Sequence, residues 1–207
     1  KDNGVLKLAT ANGSLDAIGT IVTIGDQQFY TIGTEGDNVK LLSMYNLYVG
    51  GVYNSGLTAY GDEATGKQDS TMLGYVSGQS IRNGTTAFSS STQKGTNYSD
   101  YSGSIVEEYV NNYKTILESD YGVDVVEARL ISYDELTSNE IGCSAIYNAC
   151  TGSAYPWIYS TSYWSGSANK PFSVWRVNSD GNFFSEYYSS DNSFGVRPVI
   201  IISKSNF

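Results

Sequence analysis

Apolar and polar residues near the start of the chain follow a pattern that predicts a β meander. Residues 20–24 are mainly β-branched, Gly25 begins a turn signal, and strand-like composition resumes over residues 28–32. After a second turn that contains glycine, residues 39–44 place Val39, Leu41 and Ser43 on one strand face. Three consecutive antiparallel strands are therefore predicted.

Two helices are predicted in the middle of the chain. Ser104 stands three residues before a glutamate, which is the capping-box spacing that satisfies free amide groups at a helix start. Apolar residues then recur at steps of three and four until Gly122, where the helix should end. The same capping-box spacing at Ser132 predicts a short second helix. Residues 123–131, between the two, have the composition of a strand.

Beyond the second helix the chain consists of β-like runs separated by Asn, Asp, Gly and Ser. Strands, two helices and strands again indicate an α+β fold built around one core, in a single domain that spans residues 1–207. Residues 1–18 are interpreted as an N-terminal extension or linker, and residues 53–101, which sustain no period, as an irregular insertion. The late strands are expected at residues 157–160, 172–177, 182–188 and 195–202.

Charge and composition exclude several classes of function. The chain lacks histidine, so nucleophilic triads that need an imidazole and zinc sites that contain one are ruled out. With 12 basic and 21 acidic side chains, it has no electrostatic footprint for nucleic acid. The longest apolar run, residues 199–202, is far shorter than the roughly 20 residues that span a bilayer, so no membrane span is expected within this chain.

Composition favours an extracellular or cell-surface location. No signal-peptide pattern opens the sequence, which suggests a chain that is either cytoplasmic or already trimmed. Tyr and Gly number 18 and 22 of the 207 residues, and Ser and Asn are also abundant, as they are in recognition surfaces. The same counts fit a loop-rich extracellular β protein without that role. Because residues 151–207 hold every Trp and carry a net charge near zero, we expect a partner to bind there.

Neither the cysteines nor the acidic residues point to a cofactor or a metal. Cys143 and Cys150 either form a local disulfide or are buried free thiols, and two cysteines alone are too few for a zinc site. Adjacent carboxylates at the two predicted helix starts are explained by the helix dipole. The oxygen-rich loop at residues 178–182 fails the EF-hand pattern, because Tyr187 stands where a glutamate is required.

Aromatic residues alternate with small polar ones from residue 155 to residue 192, as is typical of binding surfaces. Strand alternation assigns Trp175 and Val177 to the core, and Arg176 and Asn178 to solvent or ligand. The alternative is that all the aromatic residues lie in the core. The candidate ligand-binding residues are Tyr163, Trp164, Arg176, Asn178, Asp180, Asn182, Phe184, Glu186, Tyr188 and Asn192.

Three segments resemble bacterial surface domains of the C-type-lectin fold. They are residues 128–136, residues 163–167, and an ending formed by residues 175–182 and 194–200, the latter with the Gly-Val-Arg-Pro sequence. The group is similar to variable proteins of diversity-generating retroelements and to C-terminal domains of prepilin-like surface proteins of gut Firmicutes. The resemblance implies two helices, small antiparallel sheets and exposed variable side chains on a stable scaffold that includes Arg197. The Glu-Pro-Asn or Gln-Pro-Asp tripeptide of calcium-dependent sugar-binding members does not occur here.

The leading hypothesis is a non-enzymatic, secreted or cell-surface ligand-binding module, such as an adhesin, whose ligand is a protein or a glycan. An alternative is a structural minor pilin or fibre-tip subunit of a bacterial surface appendage. Hydrolysis by carboxylates, which needs no histidine, is the third hypothesis.

Overall fold

The computed structural model describes residues 9–10, 13–25, 27–48, 76–77, 82–83, 86–87, 101, 103–144, 146–147, 149–170, 173–187 and 193–207. Most of the expected insertion at residues 53–101, and residues 1–8 and 11–12 of the expected N-terminal extension, lie outside this set.

Strands and helices follow one another in the α+β order that the sequence predicts. The helices are α1 (Ile105–Tyr121) and α2 (Tyr133–Thr137), and short 3₁₀-helices lie at Pro156–Tyr159 and Lys204–Asn206. The strands are β1 (Ala9–Thr10), β2 (Ile21–Ile24), β3 (Gln27–Glu35), β4 (Asn38–Ser43), β5 (Val76–Ser77), β6 (Arg82–Asn83), β7 (Thr86–Ala87), β8 (Val125–Leu130), β9 (Tyr163–Lys170), β10 (Ser173–Val177), β11 (Phe183–Tyr187), β12 (Ser193–Phe194) and β13 (Pro198–Ser203).

The main sheet has six antiparallel strands in the order β1-β2-β3-β4-β13-β8. The predicted meander is confirmed as β2, β3 and β4. Strand β3 extends to Glu35, so the turn that follows it begins later than expected. The late strand β13 is inserted between β4 and β8, so that Ile200 lies opposite both Leu41 and Ala128. Residues from both ends of the chain thus share the centre of one sheet.

Helix α1 covers one face of the main sheet and begins and ends where the sequence predicts. Ser104 accepts a hydrogen bond from the backbone N–H of Glu107 at 3.3 Å, and Gly122 ends the helix with a φ of 66°. Its buried face packs against apolar residues of the sheet to form the first core. The buried residues of α1 are Val106, Tyr109, Val110, Tyr113 and Leu117.

A smaller antiparallel sheet, in the order β11-β10-β9, contributes buried residues to a core on each of its faces. One face of this sheet packs against the main sheet, where Trp175 and Phe183 join Leu42 in the second core. The other face contributes Trp164 and Val174 to the first core. Because neither face of β10 is open, every residue of that strand is buried.

Two late segments differ from their predicted structure. Residues 157–160 were expected to form a strand, but Pro156–Tyr159 is a 3₁₀-helix. Pro156 fixes a φ that suits the first helical position, and the Trp157 ring stacks on that of Tyr30 with centroids 4.4 Å apart. The alternation of residues did not predict β9, because its small polar residues are buried as thoroughly as its aromatic ones.

Glu135 joins α2 to two strands of the main sheet. Its carboxylate accepts two hydrogen bonds from the Arg129 guanidinium, both at 2.7 Å, and lies 3.2 Å from the ammonium of Lys40. It also accepts from the backbone N–H of Ser132 at 3.0 Å, completing the predicted capping box. Burial alone would raise the pKa of Glu135, but these hydrogen bonds and charges together lower it to about 2.

Stability should therefore fall in acid because of Glu135. The carboxyl titrates near 4.5 when unfolded and near 2 when folded, so its contribution is complete above pH 4.5 and is lost as the pH drops towards 2. We expect Glu135→Gln to lower the free energy of unfolding at pH 7 by up to about 3 kcal/mol and to flatten its pH dependence below 4.5. Urea unfolding at several pH values measures both effects.

The control is Glu118→Gln, because Glu118 forms only an exposed pair with Lys114 at 3.7 Å. That change should alter the free energy of unfolding by less than about 0.5 kcal/mol. A Glu135→Gln variant as stable as the original chain at pH 7 would contradict the assigned role of Glu135.

Candidate ligand-binding surface

The structure places Tyr163 and Trp164 inside the protein, which corrects the expectation that their side chains contact a ligand. Tyr163 donates a hydrogen bond to the carbonyl of Ile158 at 2.7 Å, and burial raises its pKa to about 12 despite the nearby charge of Arg197. The Trp164 ring meets Phe194 edge-on, with centroids 4.7 Å apart. Both side chains are buried because β9 has a core on each of its faces.

Arg176 is also buried, with 5% of its surface exposed, although strand alternation had assigned it to solvent or ligand. Its guanidinium lies 3.9 Å from the centre of the Phe184 ring and 4.3 Å from that of Phe194. It also donates a hydrogen bond to the side-chain oxygen of Asn178. Alternation distinguished the two faces of β10 correctly, with Trp175 in the second core, but the Arg176 face is covered as well.

The turn between β10 and β11, residues 178–182, carries the candidate residues that are exposed. Asp180 and Asn182 are exposed and Asn178 is partly buried. The Asp180 carboxylate accepts from the backbone N–H of Asn182 at 2.9 Å and from its side-chain amide at 2.7 Å. Backbone bonds from Asn178 to Asn182 and from Gly181 to Asn178, at 2.8 and 2.9 Å, close the turn. The β10–β11 turn is therefore ordered by its own hydrogen bonds.

The remaining candidates lie on or beyond β11. Phe184 is partly buried, and its backbone pairs with Arg176 across the two strands. Glu186 pairs with Val174 through its backbone. Tyr188 and Asn192 lie outside the described residues. The candidate surface therefore consists of Asn178, Asp180, Asn182 and Phe184, with Arg176 beneath them.

Cys143 and Cys150 form a disulfide, so of the two alternatives left open by the sequence the structure contains the bonded one. This disulfide loop, residues 143–150, lies beside the β10–β11 turn. The backbone N–H of Cys150 donates to the carbonyl of Gly181 at 2.7 Å, and Ala149 forms a β-bridge with Asn182. The turn and the disulfide loop therefore form one continuous surface.

Sequence reasoning missed two residues of this surface. Ile146 and Tyr147, within the disulfide loop, are 87% and 81% exposed. Large apolar side chains usually predict burial, so the pattern of residues alone did not mark them. A signal was nevertheless present, because two adjacent large apolar residues lie midway between cysteines separated by only seven positions.

A cavity of about 470 Å³ lies beside α2, β3 and β4, and its lining includes Asp16, Lys40 and Glu135. Lys40 pairs with Glu135, and Asp16 accepts a hydrogen bond from Lys204 at 2.6 Å. These ion pairs account for the charges of Asp16, Lys40 and Glu135, so we assign those three side chains to stability. The lining also includes the carboxylates Asp134 and Glu140. Across the residues that the structure describes, no group of three or more Cys, Asp or Glu side chains is placed to hold a metal ion.

Comparison with known proteins gave no match to any protein-family model, and no significant match to curated proteins or to solved structures. What the structure itself shows is an α+β architecture with two helices and small antiparallel sheets. Within the described ranges, neither helix combines the length and the apolar character needed to cross a bilayer.

The disulfide should stabilise both the fold and the neighbouring turn. Closing a loop of this size restricts the unfolded chain, so replacing both Cys143 and Cys150 with serine should cost about 2 kcal/mol of unfolding free energy. Urea unfolding with and without reductant measures the effect, and reductant should shift the original chain but leave the double variant unchanged. If thiol titration shows that the disulfide is completely reduced and the unfolding curve does not move, the stabilising role assigned to the disulfide is wrong.

Proposed function

We propose that the chain is a secreted or cell-surface ligand-binding module without catalytic activity, and that its ligand binds at the β10–β11 turn. The observation that carries this proposal is the contrast between Asp180 and Asn182, which are exposed, and strand β10 beneath them, every residue of which is buried. A rigid base with exposed polar side chains is the arrangement that a recognition surface requires.

The turn is ordered before any ligand arrives. Asp180 holds both the backbone and the side chain of Asn182, and the backbone N–H of Ser179 donates to the Ser162 hydroxyl at 2.9 Å. The conformational entropy that a flexible loop would lose on binding is thus already lost on folding. Carboxylate and amide groups in fixed positions suit the hydroxyl and amide groups of a glycan or a protein.

Phe184 supplies apolar area next to these polar groups. Its ring is partly exposed, and the Arg176 guanidinium lies against it at 3.9 Å. Because Arg176 is itself buried, its role in the proposal is to position Phe184 and Asn178 and not to contact the ligand. Mixed aromatic and polar contacts of this kind dominate binding energy at many interfaces.

An extracellular location is part of the proposal and is supported by the disulfide between Cys143 and Cys150, since such bonds persist mainly in oxidising compartments. We also propose a C-type-lectin-like fold. Two helices with small antiparallel sheets agree with that resemblance, as does the burial of Arg197 within the scaffold.

The test uses a glycan array and a displayed library of random peptides, each probed with the whole chain. Ligands found in this way should bind the Asp180→Ala, Asn182→Ala double variant at least about tenfold more weakly, because the exposed polar groups of the turn and the hydrogen bonds by which Asp180 orders it are both removed. Asn111→Ala with Asp120→Ala is the matched control, since these residues have the same chemistry and lie exposed on α1. Circular dichroism checks that each variant folds. Equal binding by the original chain and the turn variant would contradict the proposed site.

A further inference from the structure

Ile146 and Tyr147 are the most exposed large apolar residues in the part of the chain that the structure describes. Their exposed fractions are 87% and 81%, whereas the next, Val126, reaches 55%. Isolated apolar side chains are common on protein surfaces, but here two adjacent ones lie in the same short loop. The exposure of two adjacent apolar side chains therefore calls for an explanation other than incomplete burial.

The loop that carries them is rigid at its base. Besides the disulfide, Ser144 and Ala149 exchange two backbone hydrogen bonds, at 2.7 and 2.9 Å. The backbone N–H of Tyr147 also points to the Ser144 hydroxyl at 3.4 Å. A loop restrained in this way loses little conformational entropy when its tip is buried by a partner.

The same base is anchored in the second core. Both cysteines are buried there, and the backbone N–H of Cys143 donates to the carbonyl of Leu136 at 2.9 Å. The core therefore ends at the disulfide, and Ile146 and Tyr147 project beyond it. They contribute to no core cluster, so folding alone does not explain their apolar character.

The charged residues near the loop indicate the kind of partner surface to which the loop would bind. Residues 130–169 include neither Lys nor Arg, and of their three carboxylates only Glu135 is paired, with Arg129 and Lys40 from elsewhere in the chain. Asp134 and Glu140 are exposed in this segment, and Asp180 is exposed in the adjoining turn. An anionic lipid surface would be repelled by these carboxylates, whereas a protein surface bearing Lys and Arg would be attracted.

We infer that the disulfide loop inserts Ile146 and Tyr147 into an apolar pocket of a protein partner, and that Lys and Arg residues surround that pocket. The inference rests on the proposed function and narrows its ligand to a protein, because burying the Ile146 side chain needs an apolar pocket, which a glycan does not provide. The pair would supply the buried apolar centre of the interface, and the β10–β11 turn part of its polar rim.

The test selects peptides from the displayed library on the whole chain and compares their affinities for matched variants. Peptides that depend on the loop should carry an apolar side chain beside Lys or Arg. They should bind the Ile146→Ser, Tyr147→Ser variant at least about tenfold more weakly than the original chain. Val126→Ser, which removes an exposed apolar side chain from β8, should bind them unchanged. Circular dichroism and thiol titration confirm that the loop variant is folded and retains its disulfide.

Several outcomes would overturn the inference. One is that every selected peptide binds the loop variant as tightly as the original chain. If the Asp180→Ala, Asn182→Ala variant nevertheless loses binding, the proposed function survives and only the inference fails. If both variants bind normally, both fail. Binding of the chain to phosphatidylcholine vesicles that requires Ile146 and Tyr147 would replace the protein partner with a membrane. Self-association in sedimentation velocity that the loop variant abolishes would replace it with a second copy of the chain.

Discussion

The buried guanidinium of Arg197 joins two halves of the structure: the main sheet, and the 3₁₀-helix at Pro156–Tyr159 with the small sheet that follows it. It lies 5.1 Å from the centre of the Tyr163 ring in β9 of the small sheet. Its Nε donates to the carbonyl of Ser43 at 2.7 Å, and one terminal nitrogen donates to Met44 at 3.3 Å. The other terminal nitrogen donates to the carbonyls of Trp157 and Ile158 at 3.0 and 3.1 Å. A buried charge is tolerated only when such contacts compensate its lost hydration, so these segments must meet in one arrangement.

That arrangement fixes how the small sheet sits on the main sheet. The carbonyl of Gly195 accepts from the backbone N–H of Trp164 at 3.0 Å, and the Gly195 N–H donates to Ser162 at 3.1 Å. A side chain at Gly195 would lie 2.2 Å from that of Asn46, so glycine is required for this close approach. The Gly-Val-Arg-Pro sequence is therefore where the chain passes from β9, which Gly195 contacts, into β13 of the main sheet. Strands β10 and β11, and the turn between them, build outward from β9.

The fold was predictable where residues close together in the sequence determine the local structure, as at helix caps and turns. Capping spacings at Ser104 and Ser132 predicted both helix starts. Strand-like composition between turn signals, with a shared strand face in the last strand, predicted β2, β3 and β4. Alternation did not predict β9, because a strand between two cores buries serines and aromatic rings alike. The same cause explains why Arg176 is buried. Alternation predicts which face of β10 carries Arg176, but it does not predict that other residues pack on that face.

The candidate site was predictable in part for a related reason. Asp180 and Asn182 belong to a turn, and turn residues are exposed in nearly any packing of the strands around them. Ile146 and Tyr147 were missed because apolar side chains predict burial unless the three-dimensional path of the chain is known. Only the structure shows that the disulfide ends the core beneath them and places their loop beside the turn.

The most direct test of this account is the free energy of unfolding of Arg197→Lys, measured in urea by tryptophan fluorescence. All three tryptophans lie in the 3₁₀-helix and the small sheet that Arg197 links to the main sheet. Lysine keeps the charge but cannot reach four carbonyl groups with a planar fork of donors, so we predict a loss of about 3 kcal/mol or more. A variant within about 0.5 kcal/mol of the original chain would show that the two halves are held together by other contacts.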